Sequence, residues 1–218
     1  MTGLLFDLDG TLLNTLEDLK NATNHSLQKF GYPERTLEQI RQVVGNGAEK
    51  QIRKSLPEGT DSETVLKILA DYKAYYNTHC QIATAPYRGI PEALEILKKE
   101  YPVAIVSNKP DTAVKTLCAQ YFGDTYALGE SADCPRKPAP QMVKKGMEAI
   151  GVDRCIYVGD SEVDVRTAKN AGVPCLSVLW GFRDREMLEE NGAEHFCETP
   201  VQLPQVLFEM IGEENHGK

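Results

Sequence analysis

Asp7 and Asp9 stand two residues apart at the end of an apolar run, Gly3 to Leu8, and lead into Gly10 and Thr11. Acidic residues recur at Asp160 and Asp164, just after a second apolar run from Cys155 to Val158. Bringing several carboxylates to one place costs about 4 kcal/mol per close pair at an effective dielectric near 20, and a bound cation is the natural remedy. With oxygen ligands alone, and no His or Cys beside them, the ion is a hard one. Mg2+ keeps several waters while using one or two carboxylates and a substrate phosphate. Ser107 and Asn108 offer a hydroxyl and amide donors after a third apolar run, Val103 to Val106. Backbone N–H groups at Gly10 and Thr11 add to them, and Lys137 supplies a point charge, so the set surrounds an anion. A carboxylate held against the cation can attack phosphorus, and Asp9 is placed to protonate the departing alkoxide and then to deprotonate the cleaving water. Phosphoryl transfer of this kind needs mostly positioning and charge stabilisation.

Each cluster has a plainer account when taken alone. Asp7 and Asp9 suit a solvated turn, Asp160 and Asp164 suit a helix N-terminus, and Ser107-Asn108 suits a cap for a helix beginning near Asp111. Lys137 before Pro138 suits an ordinary surface lysine. Their shared position argues otherwise: all but the Lys137 cluster directly follow an apolar strand run, and in open parallel sheets the ligand crevice lies beyond the carboxyl ends of the strands.

The elements that must hold these residues alternate. Strand runs at Gly3 to Leu8, Val103 to Val106, Thr125 to Leu128, Cys155 to Val158 and Val173 to Leu179 are separated by helical patterns at Pro91 to Lys99, Asp111 to Tyr121, Pro140 to Ile150 and Val163 to Ala171, with a last helix at Val201 to Ile211. Alternation predicts an α/β fold, a doubly wound parallel sheet covered on both faces. The stretch 14–85 breaks the pattern. It holds only helical periods, at Leu16 to Leu27, Leu37 to Val44 and Val65 to Tyr76, with Asn14 and Glu17 spaced like a capping box. That is too long for a crossover. The expected domains are therefore a core of 1–13 and 86–218 and an inserted helical cap of 14–85, with a frayed tail from Glu213 to Lys218.

The 218 residues carry 24 Lys and Arg against 32 Asp and Glu, a net charge of -8, so no basic field exists for nucleic acid or an anionic membrane. The 41% hydrophobic and 26% charged content is that of a globular chain with a real core. The six cysteines form no C-x-x-C pair and read as free thiols, and the first apolar run is too short for a signal peptide or membrane span. A cytoplasmic monomer or homodimer is the expectation.

Asp7-Leu8-Asp9-Gly10-Thr11, Ser107-Asn108, Lys137, and Gly159-Asp160-Ser161 with Asp164 together resemble the four motifs of the haloacid dehalogenase superfamily, in the family's order and across the whole core. The resemblance implies Asp7 as nucleophile, Asp9 as acid and base, and Mg2+ held by the Asp7 side chain, the Asp9 carbonyl and Asp160, with Asp164 acting directly or through water. Dehalogenating members lack the second Asp of the first motif, so Asp9 points to phosphoryl chemistry. Ser107-Asn108-Lys109-Pro110, Lys137-Pro138-Ala139-Pro140, Val44-Gly45-Asn46-Gly47 and Trp180-Gly181-Phe182 are similar to the phosphoglycolate phosphatase branch, whereas Asn14-Thr15 departs from the Asp-Ser usual there. The expected activity is hydrolysis of a small phosphorylated metabolite such as 2-phosphoglycolate. Asn46 and the helical segment that Gly45-Asn46-Gly47 opens are expected to meet the substrate, with Lys50 and Arg53 assisting. A sugar-phosphate mutase of the same superfamily is a rival, although no cap residue announces the acid or base it needs. A non-enzymatic phospho-acceptor module is another, although it has no use for the cap.

Overall fold

The computed structural model describes residues 1–216. Its chain order is β1 (Thr2–Phe6), β2 (Leu13–Asn14), α1 (Leu16–Lys29), α2 (Leu37–Val43), α3 (Ala48–Ser55), α4 (Ser62–His79), β3 (Ala85–Pro86), α5 (Ile90–Glu100), β4 (Val103–Pro110), α6 (Asp111–Phe122), β5 (Tyr126–Glu130), α7 (Gln141–Ala149), β6 (Arg154–Gly159), α8 (Glu162–Ala171), β7 (Cys175–Val178), α9 (Arg185–Glu190), β8 (His195–Cys197) and, after a short 3-10 turn, α10 (Leu203–His216). Six strands form one parallel sheet in the order β5-β4-β1-β6-β7-β8. The chain leaves β1 for β4 and β5 on one side and then returns to lay β6, β7 and β8 on the other. The sheet therefore switches direction at β1, and the crevice beyond its carboxyl end is where such folds hold ligands.

Both faces of the sheet are covered, because alternate residues of each strand point to opposite sides. Leu4, Phe6, Ile105, Ile156 and Val158 pack with Leu94, Leu97, Val114, Leu117, Leu203 and Leu207 of α5, α6 and α10. Leu5, Ala104, Val106, Cys155 and Tyr157 pack instead with Met142, Val143 and Ala168 of α7 and α8. Each fully buried Leu or Ile contributes roughly 1.5–3 kcal/mol relative to exposure. The α/β doubly wound expectation matches this architecture, and all six cysteines are free thiols.

Helices α1 to α4 lie in the chain between two short strands that pair antiparallel, Leu13 with Pro86 and Asn14 with Ala85. Asp18, buried in the first turn of α1, accepts from the N–H groups of Ala83 and Thr84 and from the Thr84 hydroxyl at 2.8–3.0 Å, so the departing and returning chains are tied together. Leu19, Ala22 and Leu27 of α1 meet Val65, Ile68, Leu69, Tyr72 and Tyr76 of α4 in the same apolar cluster that reaches the sheet. Four helices occupy this stretch. The fourth is α3, which Gly45-Asn46-Gly47 opens. The expected Asn14–Glu17 capping box does not form: Thr15 is the N-cap residue and makes no side-chain cap bond, while Asn14 Oδ1 only meets the Leu16 N–H at 3.4 Å. The capping box of this region belongs to α2, between Thr36 and Gln39.

Helix α10 continues through Glu213 to His216, so the expected frayed tail is helical there, and Gly217 and Lys218 lie outside the described residues. Among the described residues no helix is long and apolar enough to cross a membrane.

Candidate active site

Asp7 is the first residue past β1, and its N–H still donates to Val158 O at 2.8 Å, which seats it between β1 and β6. Ser107 and Asn108 sit near the end of β4, and Asp160 follows β6 directly. Lys137 comes from the loop between β5 and α7, behind a cis Lys137-Pro138 bond. These residues converge. Lys137 Nζ lies 2.8 Å from both Asp7 Oδ1 and Asp164 Oδ1, and 2.9 Å from Tyr157 Oη. Tyr157 also donates to Asp164 Oδ1 at 3.0 Å. Oxygen atoms of Asp7, Asp160 and Asp164, all buried, lie within 4.8 Å of one another.

Two glycines permit this approach. A Cβ on Gly10 would stand 2.2 Å from Asp160 Oδ2, and one on Gly181 2.3 Å from Asp160 Cβ. Gly10 also has φ +83°, which disfavours any other residue there. Asp160 Oδ2 accepts the Phe182 N–H at 2.7 Å, so the Trp180-Gly181-Phe182 turn grips the carboxylate from its far side.

Asp164 has two structural duties at once. Its Oδ2 accepts from the Ser161 N–H at 3.1 Å and the Ser161 hydroxyl at 2.6 Å as the capping box of α8, while Oδ1 serves Lys137 and Tyr157. Asp164 accepts four bonds at 2.6–3.1 Å, whereas Asp160 accepts one short bond, from Phe182, and a long one of 3.4 Å from Thr11, so Asp7 and Asp160 are the freer ligands for a cation. Asp7 Oδ1 is buried and receives no well-directed hydrogen bond although the Lys137 ammonium is 2.8 Å away. The ion pair is the stronger description, since charge attraction needs no alignment. It leaves lone pairs on Asp7 for a metal.

Burial pushes the Asp7 carboxyl up to about 7; Lys137 opposes the shift, while Asp164 and Asp9 add to it. Burial raises Asp160 as well, reinforced by Asp164 and Asp7. For Lys137 burial acts downward, but Asp164 and Asp7 outweigh it and hold the ammonium above its ordinary value. An acid whose folded pKa exceeds its unfolded one keeps a proton that the unfolded chain has already released. Stability conferred by that proton is full below about pH 4 and is lost as pH rises towards 7, by about 1.4 kcal/mol per pH unit per such group. The carboxylates with lowered values, Asp61, Asp71, Asp111 and Asp153, are ionised in both states across that window. Cation-free protein is therefore expected to weaken between pH 4.5 and 7.5 in urea unfolding, and Mg2+ to reverse the trend at the upper end. A cation-free stability that climbs over this range would contradict the strained acid cluster.

The structure directs some candidate residues away from an incoming anion. Gly10 N–H closes on Leu13 O at 2.9 Å and is not available, and Thr11 is fully buried with its hydroxyl 3.4 Å from Asp160 Oδ1. The Asn108 side chain clamps the lysine loop, accepting the Lys137 N–H at 2.7 Å and donating to Lys137 O at 3.0 Å and Gly45 O at 3.2 Å. Asn46 turns to Glu162 Oε1 at 3.4 Å, and Lys50 and Arg53 are exposed, away from the cavity. Ser107 keeps its hydroxyl proton free, its oxygen accepting only the Lys109 N–H at 3.3 Å.

Other residues emerge only from the fold. Arg183, after β7, is buried and donates to Arg41 O at 2.7 Å, Val44 O at 2.8 Å and Glu162 Oε2 at 2.9 Å, bolting the α2–α3 connection to the sheet edge. Lys109 of β4 pairs with Asp9 Oδ1 at 2.7 Å and donates to Tyr76 Oη of α4 at 2.6 Å, and Asp9 is not among the three acids whose oxygens cluster. Tyr157 reads in sequence as one more apolar strand residue. Between sheet and insert remains a cavity of about 40 Å3, lined by Asp7, Asp9, Gly45, Gln51, Tyr76 and Lys109 among others, with room for a few waters only.

A profile of haloacid dehalogenase-like hydrolases matches residues 4–178. The phosphoglycolate phosphatase of Rhodobacter capsulatus is 36% identical over 187 residues, which are 83% of this chain and 85% of that one. The phosphoglycolate phosphatase of Pseudomonas putida is 34% identical over 191 residues, 82% of this chain and 70% of that one. Among solved structures, a protein of Lactobacillus delbrueckii subsp. bulgaricus, provisionally assigned as a phosphoglycolate phosphatase, has a TM-score of 0.89 at 33% identity, over 94% of this chain and 97% of that one.

Proposed function

Since the chain belongs to the haloacid dehalogenase-like hydrolase family, we propose that it is a Mg2+-dependent phosphomonoesterase that cleaves a small phosphorylated metabolite, with 2-phosphoglycolate the first candidate, through a phosphorylated Asp7. The observation that carries this reading is the cluster of Asp7, Asp160 and Asp164 around the Lys137 ammonium at the carboxyl end of β1. The names of the relatives support the substrate class.

The Asp7 carboxylate attacks phosphorus, and the ester P–O bond breaks as Asp9 gives its proton to the leaving oxygen. Asp9 then takes a proton from water, which attacks the phosphorus of the acyl phosphate, and the bond to Asp7 breaks to release phosphate. Lys137 keeps its charge throughout, because Asp7 and Asp164 raise its proton affinity, and it steadies the anion beside Asp7. Ser107 donates its free hydroxyl proton to a phosphoryl oxygen. Asp7 and Asp160 would hold Mg2+, with Asp164 as a further candidate ligand, and the ion would offset the negative charge gathered there.

Hydrolysis is favoured over a mutase because the insert lines the cavity with Leu19, Val44, Gly45, Gly47, Ala48, Gln51, Tyr72 and Tyr76, none of them a carboxylate or imidazole. Phosphate release from a panel of phosphorylated metabolites tests the proposal. Turnover of 2-phosphoglycolate with Mg2+ is expected, falling about 10²-fold or more with chelator. Failure of every ester to release phosphate would refute it, and a phosphate moved within the substrate would favour the mutase.

A further inference from the structure

Lys109 is a buried cation beside the acid and base residue Asp9, and no step described above uses its charge. It is 5% exposed, and its Nζ lies 2.7 Å from Asp9 Oδ1 and 2.6 Å from Tyr76 Oη of α4, 4.6 Å from the centre of that ring. Burying an ammonium carries a penalty of several kcal/mol before any pairing is counted. Of the residues lining the cavity, two are cations, Lys109 and Lys137. Lys137 is occupied at the phosphoryl end by Asp7, Asp164 and Tyr157. The insert's own amide there, Gln51 Nε2, donates to Thr23 Oγ1 at 2.9 Å. The cavity that Asp7 lines is also lined by Asp9, Tyr76 and Lys109, so an ester with its phosphorus against Asp7 would bring its remainder to the Lys109 charge.

We propose that Lys109 is the specificity-determining residue of this site: it recognises a carboxylate borne by the alcohol portion of the phosphate ester, turning to it from Asp9 while Tyr76 Oη continues to hold the ammonium. The proposal rests on the phosphatase reading above and narrows its substrate to esters with an anionic tail. It also differs from the sequence expectation that the helical segment opened by Gly45-Asn46-Gly47, with Lys50 and Arg53 assisting, meets this part of the substrate.

The test compares kcat/KM for 2-phosphoglycolate and for ethyl phosphate, which lacks the carboxylate, in wild-type and Lys109→Met protein. A charged hydrogen bond to the tail predicts a wild-type preference for 2-phosphoglycolate of about 10- to 100-fold that collapses to a few-fold in the variant. If Lys109 merely positions Asp9, both esters lose equally and the ratio is unchanged, which overturns the proposal. Absence of any wild-type preference overturns it too, while continued hydrolysis of ethyl phosphate leaves the phosphatase reading intact. No hydrolysis of either ester by wild type defeats both. Tyr76→Phe, which removes a single oxygen, carries the same comparison should Lys109→Met fail to fold. It is expected to lower the ratio by up to about tenfold, and an unchanged ratio there counts against the proposal.

Discussion

Asp7→Asn is expected to lower kcat by at least about 10⁴-fold, because an amide cannot form the acyl phosphate and the remaining groups only bind. The fold should survive. Asp7 is held above its ordinary proton affinity by burial, so the folded state gives up nothing when the charge is removed, and chelator-treated variant at pH 7.5 should be at least as stable as wild type. The two readouts separate the roles of this residue: a structural acid would lose stability and keep rate, a nucleophile loses rate and keeps stability. Purified variant that turns over within tenfold of wild type would remove Asp7 from the mechanism.

Lys137→Ala is expected to fail in both respects. Lys137 is 3% exposed, and its ammonium stands between two buried carboxylates and a buried phenol. Its removal leaves Asp7 and Asp164 without a counter-ion in a site already strained by like charge, and breaking a buried pair from one side costs about 3–5 kcal/mol. Urea unfolding at pH 7.5 measures the loss, which Mg2+ should reduce by supplying another cation. Activity should fall with it by about 10²-fold or more, since the charge beside the phosphoryl group is gone. A stability change under about 1 kcal/mol would identify Lys137 as a solvated side chain.

Both expectations trace to features readable in the sequence. Asp7, Ser107 and Asp160 each follow an apolar run, and a parallel sheet places the ends of its strands along one edge. Their meeting was therefore predictable from alternation alone. Lys137 was harder, because no strand precedes it directly; β5 ends at Glu130 and a loop carries the lysine back to Asp164. The missed elements are those with little pattern to show. Strand β8 has three residues and starts with exposed His195, and α9 is a six-residue helix bearing four acidic or basic side chains.

What the residues alone determined is the reaction class, because carboxylate, hydroxyl and ammonium groups keep their chemistry wherever they are carried, and a strand period specifies which edge they reach. What only the tertiary structure decided is which partner each group faces. Gly10 N–H is consumed by Leu13, Asn108 clamps the lysine loop, Asn46 bonds Glu162, and Lys109 is buried against Asp9 and Tyr76. Hydrogen bonds and ion pairs depend on distances of a few ångströms between segments far apart in the chain, and no local pattern encodes those distances. The helical insert supplies Tyr76 and Gly45 to the cavity that Asp7 and Lys109 line, a placement that only the packed fold decides.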